Sequence, residues 1–368
     1  MIHLNGGVSN YIQLSDKKYS FFSGNNYLGL SGHPEIKKAA HNAIEKYGLN
    51  FAAARHTTGT SDIHLELEKE LSDFKNEEDA VTFASGFMGN SILLHGLKDQ
   101  YDSLFIDELA HPSILDGIPR DIKNMHFYKH CDVQHLEDLL HKHNNQRALI
   151  ITDGLFALTG KISPLNEIYA LVEKFNAILV VDDAHATGVL GKNGKGTPEH
   201  FHLHGAAHIY QTETMSKALG VYGGFISANR EIINLIRENS KIYLASTSLP
   251  PPLVSAACTS VKIVKQHPGL RPELVQKANS IREGVLKLGL HTNREPTPII
   301  PVFFSSREEA MNLSGFLKEN GIIVPCVNYP VKMDQVIVRI TVSVNHTREQ
   351  IEELLIILKQ WSSNHGVT

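Results

Sequence analysis

Several features of secreted, membrane-spanning and nucleic-acid-binding proteins are missing from this sequence of 368 residues. Cys131, Cys258 and Cys326 are its only cysteines, and no C-x-x-C spacing occurs, so neither a disulfide framework nor a zinc ribbon is expected. No run of about 18 apolar residues and no signal peptide is visible. The 35 Lys and Arg are scattered among 39 Asp and Glu, unlike a nucleic-acid surface. We therefore expect a soluble, cytoplasmic protein with neither a membrane nor a nucleic acid as partner.

Histidine, by contrast, is abundant, with 21 copies. The tightest group is His200, His202 and His204, which a strand would place on one face, where they could bind a metal. The alternative is a surface connection after a glycine-rich turn, with no carboxylate or cysteine at a supporting spacing. We expect no metal there, and we expect each cysteine to be a small buried apolar side chain.

Short apolar runs alternate with helical patterns from residue 80 onward. Such uninterrupted runs predict a mostly parallel sheet covered by helices on both faces, which is an α/β fold. The predicted strands cover residues 80–83, 104–106, 148–151, 177–181, 208–211 and 224–228. Ligands of parallel sheets bind beyond the carboxyl ends of the strands, and polar motifs follow several of these runs.

The chain is expected to divide into an N-terminal arm, residues 1–35, a large domain, residues 36–250, and a smaller C-terminal α+β domain, residues 251–368. The break before the last part is the proline-rich stretch at 248–252. In the C-terminal part, strands are expected at 299–304, 322–324 and 336–344. The sequence Thr-Arg-Glu-Gln at 347–350 has the spacing of a capping box before the last helix.

Asp182 directly follows a predicted buried strand. An acid there is desolvated unless it meets a cation or a strong donor, and a protonated pyridine nitrogen is one such partner. His185, three residues later, could reach the phenolic oxygen of the same ring. The alternative is that Asp182 only caps a turn.

Lys217 stands among small residues after the next predicted strand. A lysine in that setting can form an imine with little steric obstruction, and burial would make it a usable base. Thr214 and the glycines at 223 and 224 suit phosphate contacts. The alternative for Lys217 alone is an ordinary solvated lysine.

Two more turns follow predicted strands. The small residues at 85–90 (SGFMGN) open a helix and can present N–H groups to a phosphate. His111, in the turn after the strand at 104–106, could stack on a planar ring and act as an acid or base. Four turns at successive strand ends are expected to converge on one crevice.

Together these motifs resemble the α-oxoamine synthase family of fold-type I pyridoxal-phosphate (PLP) enzymes, almost from end to end. The motifs that carry the resemblance are NNYLGL at 25–30, HPSILDG at 111–117, DDAHATGVLG at 182–191, KALG at 217–220 and STSLPP at 246–251. The resemblance implies a homodimer with its site at the subunit interface.

The resemblance also implies a function for each matching residue. Lys217 would hold the cofactor as a Schiff base and transfer protons, and His111 would stack over the pyridine ring. Asp182 would pair with the ring nitrogen, and His185 with the phenolic oxygen. The phosphate would be bound by Gly86, Phe87 and Thr214 and, from the other subunit of the dimer, by Ser246 and Thr247. The substrate carboxylate would be bound by Asn25 and Arg339.

The implied reaction joins a small amino acid (glycine, alanine or serine) to an acyl-CoA or acyl-carrier-protein thioester, usually with decarboxylation, to give an α-amino ketone. One alternative is another PLP reaction on the same scaffold, such as aldol cleavage, racemisation or transamination. A different alternative is a non-catalytic subunit that supports an active partner.

The sequence departs from the family pattern in three places. Ala157 replaces the serine that usually contacts the cofactor oxygen, and Thr159 replaces an aspartate; losing one hydrogen bond to an ionised group costs ~1.5–3 kcal/mol. Only about twenty residues precede the motif at 25–30. The stretch at 328–333 (NYPVKM) differs from the proline-rich segment that shapes the substrate entrance. The last two departures concern the acyl donor more than the cofactor.

Overall fold

The computed structural model describes residues 3–327 and 333–365. The departure at 328–333 therefore lies outside the described residues, except for Met333. The helices, in chain order, are α1 (Pro34–Tyr47), α2 (Asp62–Lys75), α3 (Gly89–Gly96), α4 (Pro112–Asp116), α5 (Val133–Lys142), α6 (Leu165–Phe175), α7 (Thr197–His200), α8 (Arg230–Asn239), α9 (Lys241–Ala245), α10 (Pro251–Gln266), α11 (Leu270–Lys287), α12 (Arg307–Glu319) and α13 (Arg348–Asn364).

The strands include every run that the sequence predicted, with slightly different ends. In chain order they are β1 (Tyr11–Leu14), β2 (Lys17–Phe21), β3 (Asp79–Phe83), β4 (Ser103–Asp107), β5 (Asn124–Tyr128), β6 (Ala148–Asp153), β7 (Ile178–Asp182), β8 (Ile209–Thr214), β9 (Gly224–Ala228), β10 (Ile299–Phe304), β11 (Ile322–Ile323), β12 (Cys326–Val327) and β13 (Val336–Thr341).

The chain forms two compact units. The large unit contains residues 34–156 and 162–267, and the small unit contains residues 1–33, 157–161 and 268–368. The short segment 157–161 thus belongs to a different unit from the strand that precedes it. The expected division at residues 35 and 250 stays a prediction.

The large unit is built around a seven-stranded sheet in the order β3-β9-β8-β7-β6-β4-β5. Only β9 runs against the other strands, and the pairs from β8 to β5 are parallel. The predicted mostly parallel sheet is therefore confirmed.

Two buried clusters cover the two faces of this sheet, because neighbouring residues of one strand point to opposite sides. Leu104 and Ile106 of β4 belong to one cluster, whereas Phe105 between them belongs to the other. The same alternation separates Val180 from Val181 in β7. Burial on both faces explains why these strands read as continuous apolar runs.

The small unit contains two three-stranded sheets, in the orders β1-β2-β11 and β10-β13-β12. Helix α13 begins with the predicted capping box: the Thr347 hydroxyl accepts the Gln350 N–H, and the Gln350 side chain accepts the Thr347 N–H. Among the described residues, no helix is both long enough and apolar enough to cross a membrane.

Candidate active site

A cavity of about 210 Å³ opens in the large unit beyond the carboxyl ends of the strands. Seven of the residues that the sequence singled out line it together. They are Gly86, Phe87, His111, Asp182, His185, Thr214 and Lys217. The other lining residues are Ser85, Ser113, Asp153, Ala184 and Ser216. The four turns that were expected to converge do so.

Asp182 reaches the cavity because it is the last residue of β7. In the parallel pairing it stands opposite Asp153 of β6 and Thr212 of β8, so the ends of three strands meet at one level. Its carboxylate is buried and accepts hydrogen bonds from the Ala184 main-chain N–H at 3.1 Å and from Asn90 Nδ2 at 2.7 Å. Asp182 thus does accept a turn N–H, as the capping alternative required, while also lining the cavity.

Asn90 holds this carboxylate from helix α3. Its Nδ2 also donates to Ser113 Oγ at 2.9 Å, and its Oδ1 accepts the Thr212 hydroxyl at 2.7 Å. The residue is completely buried. These contacts fix the Asn90 amide and, through it, the orientation of Asp182.

Asp153 is the second buried acid of the cavity. Burial raises the pKa of Asp153 well above its ordinary value, and the nearby Asp182 raises it further. Two carboxylates at one site cannot both ionise without a large electrostatic cost, and the raised pKa of Asp153 reflects that cost. Its Oδ1 accepts the main-chain N–H of His111 at 3.0 Å, which ties the His111 turn to β6.

His111 is held from its other side by Ser113. Its Nδ1 accepts the Ser113 main-chain N–H at 3.2 Å and lies 2.7 Å from Ser113 Oγ. Burial lowers the pKa of His111, with Lys217 contributing in the same direction and Asp182 opposing it. The ring is therefore neutral at physiological pH, and the accepting Nδ1 places its proton on Nε2.

Lys217 follows β8 and is half-buried at the wall of the cavity. His185, nearly buried, follows β7 at the same end of the sheet. An amine, a neutral imidazole and a buried carboxylate thus face one space. This combination can hold a planar cationic ring and move a proton.

Ser85, Gly86, Thr214 and Ser216 form a small polar cradle at the start of α3. A Cβ on Gly86 would lie 2.6 Å from Thr214 Oγ1, so only glycine fits beside this threonine. Thr214 Oγ1 contacts Ser216 Oγ at 2.7 Å, and Ser85 Oγ accepts the Phe87 N–H at 3.4 Å. Hydroxyls beside a helix N-terminus are suited to a phosphate.

The remaining predicted residues do not line this cavity. Ser246 is half-buried and its hydroxyl donates to the Ile242 carbonyl at 2.5 Å, whereas Thr247 is exposed and pairs with Ala54. Asn25 and Arg339 belong to the small unit. Their expected contacts with a phosphate and a substrate carboxylate stay predictions.

Within the small unit, Asn25 and Arg339 are in direct contact. Arg339 Nη2 donates to Asn25 Oδ1 at 3.1 Å and lies 3.4 Å from the Tyr27 hydroxyl, while Nε donates to the Ala157 carbonyl at 2.6 Å. Burial raises the pKa of Tyr27 to about 12 despite the nearby guanidinium, so Tyr27 stays neutral. The methyl group of Ala157 cannot make the side-chain hydrogen bond that a serine, the residue of the family pattern, could make at this position.

Two polar residues of the site were not predicted from the sequence: Asn90 was noted only as part of the motif at 85–90, without a function, and Asp153 was not singled out. Asp153 was visible as the first polar residue after a buried apolar run, which is the signal that identified Asp182. Asn90 carries no such signal, because its contact with Asp182 depends on how α3 packs across the strand ends.

The histidines at 200, 202 and 204 do not lie on a strand. His200 ends α7, and His202 adopts a left-handed backbone conformation with φ of 60°. The surface connection was therefore the correct alternative. The expectation that all cysteines are buried holds for Cys258 only, since Cys131 and Cys326 are partly exposed.

Comparison with known proteins gives consistent matches. Residues 18–358 match the aminotransferase class I and II family. The 8-amino-7-oxononanoate synthase of Thermoanaerobacter pseudethanolicus is 40% identical over 345 residues, covering 93% of this chain and 87% of that protein. A serine palmitoyltransferase from S. paucimobilis with a bound PLP–myriocin aldimine superposes with a TM-score of 0.95 at 26% identity, covering 100% and 94% of the two chains. The 8-amino-7-oxononanoate synthase of Francisella tularensis gives 0.81 at 29% identity, covering 94% and 98%.

Proposed function

The chain belongs to the aminotransferase class I and II family, and within it we propose that the protein joins a small amino acid to an acyl thioester. It is a PLP-dependent acyltransferase of the α-oxoamine synthase type with the fold-type I fold. The observation that carries the proposal is the single cavity that contains Lys217, Asp182, His185 and His111.

The cavity fits PLP in three respects. The Gly86–Thr214 cradle has no room for a Cβ and offers hydroxyls to a phosphate. A buried carboxylate, Asp182, lines the cavity and is held by an amide and a main-chain N–H. Lys217 supplies the amine for an imine. The phosphate of PLP would bind in the cradle, its pyridine nitrogen would pair with Asp182, and its aldehyde would form the imine with Lys217.

Each residue around the cofactor would have a distinct role. Asp182 would pair with the pyridine nitrogen, and Asn90 would keep the Asp182 carboxylate in position. His185 would donate to the phenolic oxygen, and the neutral His111 ring would stack on the cofactor. When bound, PLP supplies an electron sink that stabilises negative charge at the substrate Cα.

Lys217 acts as the proton carrier at that carbon. Its amine would hold the cofactor, and it would take the Cα proton of the substrate and return a proton later in the cycle. The lowered pKa of His111 keeps that ring neutral, with its proton on Nε2, where it can serve as a donor to the thioester carbonyl oxygen. Arg339 and Asn25 would bind the substrate carboxylate, a task for which a guanidinium is suited.

The names of the relatives favour alanine and a seven-carbon acyl group as the substrates. In 8-amino-7-oxononanoate, carbons 8 and 9 with the amine are what remains of alanine after its carboxylate is lost. Carbons 1–7 correspond to the acyl group of a seven-carbon dicarboxylic acid. The reaction would release the thiol and carbon dioxide. Either CoA or a carrier protein could bear the acyl group.

A cytoplasmic homodimer is part of the proposal. Ser246 and Thr247 do not line the cavity of their own chain, which leaves them available to the phosphate of a second copy. The site would then be completed at the subunit interface.

Thiol release by the purified holoenzyme tests this proposal. Alanine, glycine and serine are each combined with the monoacyl thioester of the seven-carbon diacid, carried by CoA or by a carrier protein. We expect thiol release with alanine, matched by an amino ketone of the corresponding mass. Lys217→Ala should abolish it, whereas the exposed Lys98→Ala should not.

Aldehyde or keto acid formed from an amino acid alone, with no thiol released by any donor, would instead establish another PLP reaction. A chain that binds PLP but converts no amino acid would be a non-catalytic subunit. Both outcomes contradict the proposed condensation.

A further inference from the structure

Asp107, His130 and Cys131 form a compact group outside the cofactor cavity. Asp107 is the last residue of β4, and the other two follow the end of β5, its parallel neighbour, where Tyr128 stands opposite Asp107. One carboxylate oxygen, one ring nitrogen and the sulfur lie within 4.8 Å of one another. None of the three lines the cavity, and no function has yet been assigned to them.

The group is held in place by main-chain hydrogen bonds. Asp107 Oδ1 accepts the Leu109 N–H and Oδ2 accepts the Cys131 N–H, each at 2.9 Å. The His130 N–H donates to Glu108 Oε1 at 3.0 Å. These bonds leave the His130 ring and the thiol to face the carboxylate, which is how outer contacts orient ligands in metal sites.

We propose that Asp107, His130 and Cys131 bind one divalent cation of the zinc class, with water completing the coordination. Thiolate, imidazole and carboxylate are the three ligand types that zinc accepts. The proposal does not rest on the reaction proposed above.

The distances suit a tetrahedral ion. With zinc bond lengths, sulfur and nitrogen ligands should lie about 3.6 Å apart, and nitrogen and oxygen ligands about 3.3 Å apart. Cys131 Sγ lies 3.7 Å from His130 Nδ1, and that nitrogen lies 3.0 Å from Asp107 Oδ1. The sulfur and the carboxylate oxygen lie within 4.8 Å of one another, so the group closes on an ion when the ion replaces the direct contact between His130 and Asp107.

The backbone of Cys131 gives a further reason to consider the thiol functional. Its φ of 55° is in the left-handed region, which asparagine tolerates better than cysteine. A cysteine in this conformation has a less favourable backbone than asparagine would have, and its thiol faces His130. Cys131→Asn is consequently a well-matched test variant, because it removes the thiolate while suiting the backbone.

Cobalt and zinc titrations of the holoenzyme test the site. Co²⁺ should produce red d–d absorption, beyond the cofactor bands, with one-to-one stoichiometry, and Zn²⁺ should displace it. X-ray absorption of the zinc form should show one sulfur ligand at about 2.3 Å. Binding should tighten as pH rises, because the thiol must lose its proton.

Two variants separate this site from the other histidines and thiols. Cys131→Asn should weaken Zn²⁺ binding by more than the ~10–100-fold that loss of an outer contact costs. Cys326→Ser, a change at another partly exposed thiol, should leave it unchanged. The proposal fails if no sulfur-ligated ion is detected, or if Cys131→Asn binds Co²⁺ and Zn²⁺ as the unsubstituted protein does.

Discussion

At the residue scale, the two aspartates of the cavity show how position decides chemistry. Asp153 and Asp182 end adjacent strands and stand opposite each other in register. Asp182 has an amide and a main-chain N–H to stabilise its charge, whereas Asp153 accepts a main-chain N–H from His111. The same residue type therefore meets different surroundings on the two strands, and burial together with Asp182 raises the pKa of Asp153 well above its ordinary value.

The same substitution at the two positions should have effects of very different size. Asp153→Asn keeps a neutral side chain and an oxygen for the His111 N–H, so kcat/KM near neutral pH should change by less than about threefold. Asp182→Asn removes a charge that faces the cofactor, and loss of a charged hydrogen bond of ~1.5–3 kcal/mol should lower kcat/KM about 10–150-fold. Steady-state kinetics with saturating cofactor make the comparison. Equal losses of kcat/KM in both variants would contradict the proposal that Asp182, and not Asp153, is the charged partner of the cofactor.

The pH dependence follows from the raised pKa of Asp153. Because the pKa is raised, Asp153 holds its proton to a higher pH than an ordinary aspartate, and its release would place a second charge beside Asp182. We expect the unsubstituted enzyme to lose activity as pH rises through the pKa of Asp153, and we expect this loss to be absent or moved upward in Asp153→Asn. A pH–rate profile of both proteins measures it, and superimposable profiles would rule out Asp153 as its source.

Asn90 should behave as a positioning residue for Asp182. Asn90→Ala removes the 2.7 Å hydrogen bond to the carboxylate, and we expect a loss of about 10–150-fold in kcat/KM together with weaker PLP binding. Ser91→Ala, one residue along the same helix, touches His95 instead and should leave both unchanged. The pH titration of the cofactor absorbance should also shift in Asn90→Ala, which general destabilisation alone would not cause.

At the element scale, helix α2 is joined to strand β8 by a buried ion pair. Lys75, the last residue of α2, contacts Glu213 of β8, and both side chains are completely buried. Burial raises the pKa of Glu213 to about 7, although Lys75 lowers it. A raised carboxyl pKa means that the folded state keeps a proton that the unfolded state releases. This pair's contribution to stability therefore falls as pH rises from about 4.5 to about 7.

Lys75→Met should destabilise the protein in a pH-dependent way. At about pH 8 it leaves a buried charge without its cation, and we expect a loss of about 3–5 kcal/mol in unfolding free energy. Below about pH 6 the loss should be smaller, because Glu213 without Lys75 is protonated more easily. Urea unfolding of the holoenzyme at both pH values measures the difference.

Two further variants make this prediction specific. Lys69→Met removes an exposed pair with Asp73 on the same helix, and its effect should stay within about 0.5 kcal/mol. The double variant Lys75→Met with Glu213→Gln removes both charges and should regain much of the loss. A double variant as unstable as Lys75→Met alone would mean that packing, not charge, accounts for the cost.

The elements also show what the sequence could and could not predict. The strands β3, β4, β6, β7, β8 and β9 were predicted because both faces are buried and apolar residues follow one another. Strand β5 was missed because it pairs only with β4 at the sheet edge and its side chains are mostly exposed. Its sequence, Asn-Met-His-Phe-Tyr, gives no continuous apolar run.

The same reasoning applies to the site. Residues that directly follow a buried strand, such as Asp182, could be predicted because the sheet brings strand ends together. The Asp107 group could not, because His130 and Cys131 are separated from Asp107 by more than twenty positions and meet it only through the pairing of β4 with β5. The register of two strands is the information that the sequence alone lacked.

At the scale of the whole molecule, the proposed homodimer makes a prediction about exchange between subunits. If Ser246 and Thr247 bind the phosphate in the site of the other chain, a Lys217→Ala chain still contributes an intact Ser246 and Thr247 to its partner's site. That partner then needs only its own Lys217. The double variant Ser246→Ala, Thr247→Ala should bind PLP weakly and show low activity at limiting cofactor. Lys217→Ala should be inactive at any concentration of PLP.

Mixing the two inactive proteins should then restore activity. Random exchange gives heterodimers in half of the molecules, each with one intact site, so about a quarter of wild-type activity is expected at limiting PLP. Differently tagged subunits, purified through both tags, show that heterodimers have formed. If such heterodimers stay inactive, Ser246 and Thr247 act within their own chain or not at all. Recovery requires that both defects fall in the same site of the heterodimer, because the other site is then intact; residues that act within their own chain would leave one defect in each site.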